Sequence, residues 1–399
     1  MNFRYTALAF TLSCSLLSLP AFAADEPPAV QAILKNWEAQ FKAKPSYDSL
    51  TTGADGGVVI QGLKFALPVD AKAGSAKLTV ATLTLKDLAD EGNGLFRIGS
   101  ADYKDVLVAF GSDAANVTIS IPQTTAEGWH VKALGENPTP ADRFRASLNI
   151  AEKMSSGPIT MTAAGHTVTS DGYQMSWEGD PVTGSGKTAG KVANIVIPEA
   201  ALAQMDPSGT LKRLGYATLV FELGGSGTIS NDGTNFGMDF DAYYAGKDIG
   251  TLKIGVGVAA VPLAVITELQ TTEPGKEPDM GKLMPQVQGI QISRVVMRFE
   301  DASITKKVLP MIAAMQGMDE ATMVANAGAM LQLGLAELKN PEFTQKTVAA
   351  VNAYLKDPRA LTIAAKPAQP VTVMQLMGFD PSKIGMIVDQ FGISITAND

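Results

Sequence analysis

Polar and apolar residues alternate with period two in a series of short segments between positions 59 and 258, and helical spacing takes over toward the C-terminus. Ahead of the strands, Pro27-Pro28 suits a helix start. Val30, Ile33, Leu34, Trp37 and Phe41 then recur at helical spacing until Pro45. Strand-like segments follow at 59–60, 63–67, 78–85, 106–110 and 117–121. In the last of these Val117, Ile119 and Ile121 alternate with Thr118 and Ser120, the mark of a half-exposed antiparallel strand. The stretch 139–154 supports two readings: Thr139-Pro140 can cap a helix carrying Phe144, Leu148 and Ala151, and Leu148-Asn149-Ile150 can be strand. The alternation resumes at 159–161, 173–177 and 192–197. Asp232-Gly233 predicts a tight hairpin. A second turn, at 245–248, leads into Leu252, Ile254, Val256 and Val258, with Lys253, Gly255 and Gly257 on the other face. Glycines there thin that face and permit curvature or close approach of another element.

Residues 271–288 hold three prolines, several charges and little apolar content, which predicts a linker or exposed loop. Beyond lie a strand at 290–299 and helices at 303–316, 319–338 and 343–355, broken at Gly317 and Asn340-Pro341, with Asp319 as an N-cap. A strand at 360–365, a proline-rich piece at 366–370, a short helix and a strand at 393–396 close the chain. The expected fold is α+β: a large twisted antiparallel sheet with an N-terminal helix and a helical C-terminal region. The expected organisation is a β-rich region over 24–270, the linker, and a strand plus helices over 289–399 packed on the sheet.

The first 23 residues change where this fold is expected to work. Arg4 precedes an apolar run from Thr6 to Leu19, followed by Pro20 and Ala21-Phe22-Ala23, which reads as a secretory signal cleaved near Ala23. The expected location is the periplasm or the extracellular space. Cys14, the chain's one cysteine, lies inside that signal, so thiol catalysis and disulfides are absent from the expected mature chain. Thr11 stands where a lipoprotein signal wants leucine, which argues against lipid attachment at Cys14. No later stretch reaches the ~18 apolar residues of a membrane span. The net charge of −8, one unit more negative once Arg4 is removed, comes without a basic block and excludes a nucleic-acid partner.

Catalytic motifs are weak. Gly184-Ser185-Gly186-Lys187-Thr188 resembles a phosphate loop, but Pro181 occupies its first glycine position and strands flank it, so it is a turn between exposed strands. Ser303-Ile304-Thr305-Lys306 has the Ser-x-x-Lys spacing of serine acyl-enzymes without their downstream Lys-Thr-Gly, and Ser303 is expected to cap the following helix. His130 and His166 are isolated and too few for a histidine metal site. Asp232, Asn235, Asp239 and Asp241 lack calcium-loop spacing and are assigned to hairpin polar positions. No catalytic residue, metal or cofactor is expected.

Methionine is concentrated instead: eleven of 17 lie between Met280 and Met386. Met315/Met318 and Met374/Met377 could offer thioethers to Cu(I). Flexible thioethers also line adaptable apolar grooves, and the same residues suit ordinary helix packing. The candidate groove comprises Met297, Met311, Met315, Met323, Met330, Leu331 and Leu335.

The segments Gly57-Val58-Val59-Ile60-Gln61-Gly62-Leu63, 78–85 and 216–223 resemble those of AsmA-like β-groove envelope proteins of Gram-negative bacteria. The segment 356–371 is similar to one found in uncharacterised secreted bacterial proteins. The resemblance implies a curved sheet with an apolar inner face that holds lipid. The chain departs from that pattern in lacking a membrane anchor and in its extended helical C-terminal part. The expected function is a non-catalytic periplasmic binding or carrier protein for a lipid or other amphipathic ligand. The alternatives are a structural or interaction protein with an envelope protein partner, and a hydrolase with an unrecognised site.

Overall fold

A computed structural model describes residues 26–68, 75–112, 115–148, 150–272, 278–378 and 384–399. The signal segment lies outside the described residues. The fold is α+β, with a large antiparallel sheet, an N-terminal helix and C-terminal helices. The chain forms two compact units. The first runs to Asn194 and adds Ser230–Thr234 and Leu263–Asp279; the second comprises Ile195–Ile229, Asn235–Pro262 and Met280–Asp399.

The first unit opens with helix α1 (Pro28–Phe41), whose proline at the first turn supplies a preset φ. Strands β1 (Ser49–Thr52), β2 (Val58–Leu67), β3 (Ser75–Gly92), β4 (Leu95–Ser112) and β5 (Ala115–Lys132) form an antiparallel meander. Its register stacks one face with apolar residues: Phe65 opposite Leu78, Leu78 opposite Val108, Val108 opposite Ile119. Helix α1 closes this face, burying Val30, Ile33, Leu34 and Trp37 among Ile60, Leu63, Leu83, Leu85 and Ile98. Trp37 stacks on Trp129 with ring centroids 5.8 Å apart, and Asn36 Nδ2 donates to the Lys132 carbonyl at 2.7 Å. Full burial of each large aliphatic side chain contributes roughly 1.5–3 kcal/mol, so this face is the unit's main source of stability.

Each reading of 139–154 holds in part: the helix forms with Phe144 but ends at Ser147, before Leu148 and Ala151, and strand begins at Ile150. Thr139 and Asp142 form a capping box at the start of α2 (Pro140–Ser147), and strand β6 (Ile150–Ser156) follows. Strands β7 (Ile159–Ala163), β8 (His166–Ser170), β9 (Gly172–Gly179) and β10 (Gly186–Ile197) extend the antiparallel pairing.

Next come short helices α3 (Glu199–Met205) and α4 (Thr210–Arg213), then the long strands β11 (Leu219–Asn231), β12 (Asn235–Gly246) and β13 (Gly250–Pro262). The Asp232-Gly233 turn forms as expected, with Gly233 at φ 85°. Helix α5 (Leu263–Thr271) belongs to the first unit, where Gln270 Nε2 donates to Ser147 Oγ at 3.1 Å.

Within the stretch read as a linker, Met280–Val287 is helical (α6), with Leu283 buried. Met280, Leu283, Met284 and Val287 have helical spacing, a pattern outweighed at the level of sequence by the three prolines around it. Strand β14 (Gln291–Asp301) is followed by α7 (Ile304–Met315), α8 (Glu320–Ala336) and α9 (Pro341–Lys356), then β15 (Ala360–Ala365), β16 (Val371–Thr372), α10 (Val373–Met377), α11 (Ile384–Gln390) and β17 (Ile393–Ala397). Asp319 caps α8 by accepting from Thr322 N at 2.8 Å, as the sequence predicts. Ser303 does not cap α7: its hydroxyl donates to the Asp248 carbonyl, and Asp301 Oδ2 takes the Thr305 N–H at 2.9 Å instead.

Candidate functional site

In the second unit β12, β13, β14, β15 and β17 lie side by side, and their register sorts side chains into two unlike faces. Directly opposed residues share a face of an antiparallel sheet. Three rows can therefore be followed across all five strands. They are Tyr244–Leu252–Phe299–Leu361–Ala397, Ala242–Ile254–Met297–Ile363–Ile395 and Phe240–Val256–Val295–Ala365–Ile393. All fifteen positions are apolar or aromatic, and none is buried. Val295, Met297 and Ile363, in the middle of the face, are 41 to 45% exposed.

The opposite face is polar and paired within itself. Arg294 on β14 extends over Gly257 and Gly255 of β13 to Asp239 and Asp241 of β12. Its Nε donates to Asp239 Oδ2 at 3.0 Å and its Nη1 to Asp241 Oδ1 at 2.8 Å. The guanidinium holds the Asp239 carboxyl below the usual range, and the two carboxylates raise the arginine's own pKa. Arg298 Nε donates to Glu300 Oε1 at 3.0 Å and its Nη1 to Asp399 Oδ1 at 2.7 Å, while Lys253 Nζ reaches Glu300 Oε1 at 2.8 Å. The glycines that the sequence marks as thinning one face make room for a charged bridge there.

One edge of the apolar face is roofed. Helix α9 packs along β17, where Ile393, Ile395 and Ala397 are partly covered and Ser394 and Thr396 are exposed, so the helix lies on the isoleucine side. Inward from that edge Ile363, Met297 and Val295 stay open. The result is an apolar floor with a helical wall on one side.

Of the residues expected to line a groove, Met297 lies on this floor. Met311 is half-buried on α7. On α8, Met323, Leu331 and Leu335 share a half-buried stripe with buried Val324 and Gly328, and Gly328 packs against Asn352 of α9. Leu331 and Leu335 lie on the Gly328 side of the helix, which meets α9, and Met323 is half-buried seven residues before Met330. Met315 and Met330 point outward and are exposed. Sequence reasoning did not single out Val295, Ile363 or Ile254, although the period-two alternation of their strands was visible.

The weaker candidates acquire definite surroundings. Asp180 to Ser185 forms the β9–β10 turn, with Asp180 Oδ1 accepting from Val182 N at 2.9 Å and Lys187 opposite Glu178. Beneath it the buried Arg145 donates from Nε to the Pro181 carbonyl at 2.6 Å, and burial pushes its pKa down to about 10. Ser303 is bonded to the Asp248 carbonyl and not to Lys306. His130 is buried, with Nδ1 3.2 Å from Glu91 Oε2 and Nε2 3.8 Å from Glu152 Oε1. His166 sits beyond a turn, opposite Ala163. Among the described residues, no group of three His, Cys, Asp or Glu is placed to hold a metal ion. No described helix is long and apolar enough to cross a membrane. A surface depression of about 360 Å³ in the first unit, bordered by Leu63, Val80, Val106 and Leu107 together with Lys64, Thr79, Asp105 and Ser120, exposes mainly apolar surface.

A family model described as an uncharacterized protein matches residues 243–398. That span contains β13, β14, β15 and β17, four of the five strands of the apolar face, and all the helices of the C-terminal region. No curated protein matches the chain.

Proposed function

We propose that the apolar sheet face of the second unit binds the hydrocarbon part of a lipid or other amphipathic molecule, and that the protein is a non-catalytic binding or carrier protein of the cell exterior or periplasm. The observation that carries this reading is the set of fifteen opposed apolar positions with no buried member. Five strands at ~4.8 Å spacing present a floor roughly 19 Å wide, and five residues along a strand give it a length of roughly 13 Å. An exposed apolar surface of a few hundred Å² is of the size that marks binding and interaction sites. A flexible alkyl chain conforms to such a floor, and Met297 at its centre is the side chain best able to adapt. The polar pairs of the opposite face leave no comparable surface there.

The test is native mass spectrometry of the protein purified from its exporting host, followed by extraction of bound small molecules. A reproducible lipid adduct, lost on denaturation and depleted in an Ile363→Asp variant, is the expected result. A clean apo mass under every mild condition sinks the carrier reading and moves the weight to the interaction protein.

A further inference from the structure

Helix α8 presents an open face unlike that of the other helices. Between Glu320 and Glu337 it carries no charged residue. Its inward stripe, Val324, Ala327, Gly328, Leu331 and Leu335, follows i, i+3 and i+4 spacing, and Gly328 in it packs against Asn352 of α9. Its outward side is exposed and uncharged, with Ala325, Ala329, Met330, Leu333 and Ala336 interspersed with Thr322, Asn326 and Gln332. Large apolar side chains grouped on an exposed surface mark sites that meet a partner or a membrane. The three most exposed large apolar side chains of the described residues, 73 to 80% exposed, are Met330 and Leu333 here and Met315 on the last turn of α7.

We propose that α8, with the end of α7, docks the protein on a zwitterionic lipid surface, inserting Met330 and Leu333 among the acyl chains near the headgroups. Two observations favour a bilayer over a second protein. Each exposed side chain offers on the order of 100 Å² of apolar surface. Three of them amount to roughly 300 Å², well short of the ~800 Å² per partner that a stable protein interface buries. The charges at the helix ends supply the second: Asp319 and Glu320 at one end, with Glu337 and Lys339 at the other, leave a net negative charge that phosphatidylglycerol-type anions repel and a zwitterionic surface does not. Interfacial helices that bind anionic lipid carry lysine and arginine on the polar face, and α8 has neither. This docking does not depend on the sheet face holding cargo.

Flotation of the full chain with phosphatidylcholine vesicles tests it, compared with Met330→Glu/Leu333→Glu and Ile363→Asp variants. All three share the N-terminal segment, so its contribution cancels. The expected result is flotation of the parent, a loss of roughly tenfold or more in the double variant, and no loss in Ile363→Asp. Phosphatidylglycerol in the vesicles is expected to weaken binding. Circular dichroism and thermal melting of the double variant are expected to match the parent, since both side chains face solvent. Four outcomes overturn the proposal: no flotation of the parent, flotation of the double variant at the parent level, binding only to anionic vesicles, or a parent dimer that the double variant dissociates. If Ile363→Asp loses flotation and the double variant keeps it, the sheet face meets the lipid: the docking assignment falls and the cargo reading stands.

Discussion

Arg294 reaches Asp241 across an intervening strand, with Nη1 2.8 Å from Oδ1, because Gly255 lies between them without a side chain. A Cβ at Gly255 would come within 2.4 Å of the arginine's Nη1 and 2.6 Å of the Asp241 oxygen. The bridge ties β12 to β14 and satisfies the polar face of the sheet from within. It also leaves the other face as the one on which this sheet exposes hydrocarbon.

Gly255→Val is therefore expected to destabilise the protein by about 1–3 kcal/mol, through displacement of the guanidinium. In an Arg294→Ala background the same change is expected to be neutral or stabilising, since a β-branched residue favours a strand once the notch is empty. A double-mutant cycle by urea unfolding measures the difference. Additive effects would mean that the glycine serves backbone geometry and not the bridge.

The same bridge sets an acid-side dependence. Hydrogen bonds from Arg294 lower the Asp239 pKa in the folded state. The stabilisation is complete above the carboxyl's unfolded value of 3.8 and is lost as pH falls through its lower folded value. Both aspartates are exposed, so solvent screening keeps the effect small. Arg294→Ala is expected to flatten the fall of melting temperature as pH drops below 3.8.

Tyr47 gives a dependence of opposite sign at high pH. Burial, then the hydrogen bond to Glu26 and its charge, push the phenol up to about 12. The stability tied to the neutral phenol is intact below the unfolded value of 10 and falls as pH rises from there to about 12. Glu26→Gln is expected to lower the midpoint without restoring it to 10, because the burial remains. Ultraviolet titration of the eight tyrosines, with Tyr47→Phe as the reference for assignment, reads the shift.

The legible and illegible parts of this chain divide along a physical line. Alternation at Val117–Ile121 and helical spacing from Val30 to Trp37 were visible because period and face are properties of one segment. Which apolar face is covered is a property of two segments. Leu83 and Ile363 both stand in alternating strands, yet Leu83 is sealed in the core that α1 closes and Ile363 lies open. Methionine content misled for the same reason. Met323 is half-buried on α8, Met297 lies on the floor and Met330 faces solvent, a distribution that composition does not encode. The α6 helix was hidden by prolines whose local effect was overridden by the buried anchor Leu283.

A paired comparison separates burial from openness most directly. Trp37 is 2% exposed and stacks on Trp129. Trp37→Ala is expected to cost about 3–5 kcal/mol and to reduce the near-ultraviolet dichroism of the tryptophan pair. Met297→Asp sits at the centre of an equally apolar sheet face, but its side chain is already open to water. It forfeits little burial, and its carboxylate keeps most of its hydration, so the expected cost is about 1 kcal/mol or less. Its effect should appear in ligand load, because a charge at the centre of the floor must be desolvated when hydrocarbon lies across it. Equilibrium unfolding gives the two stabilities, and mass spectrometry of bound molecules gives the load. A large stability loss for Met297→Asp would mean that the face is covered in solution. A small loss with unchanged load would mean that it is open and binds nothing there.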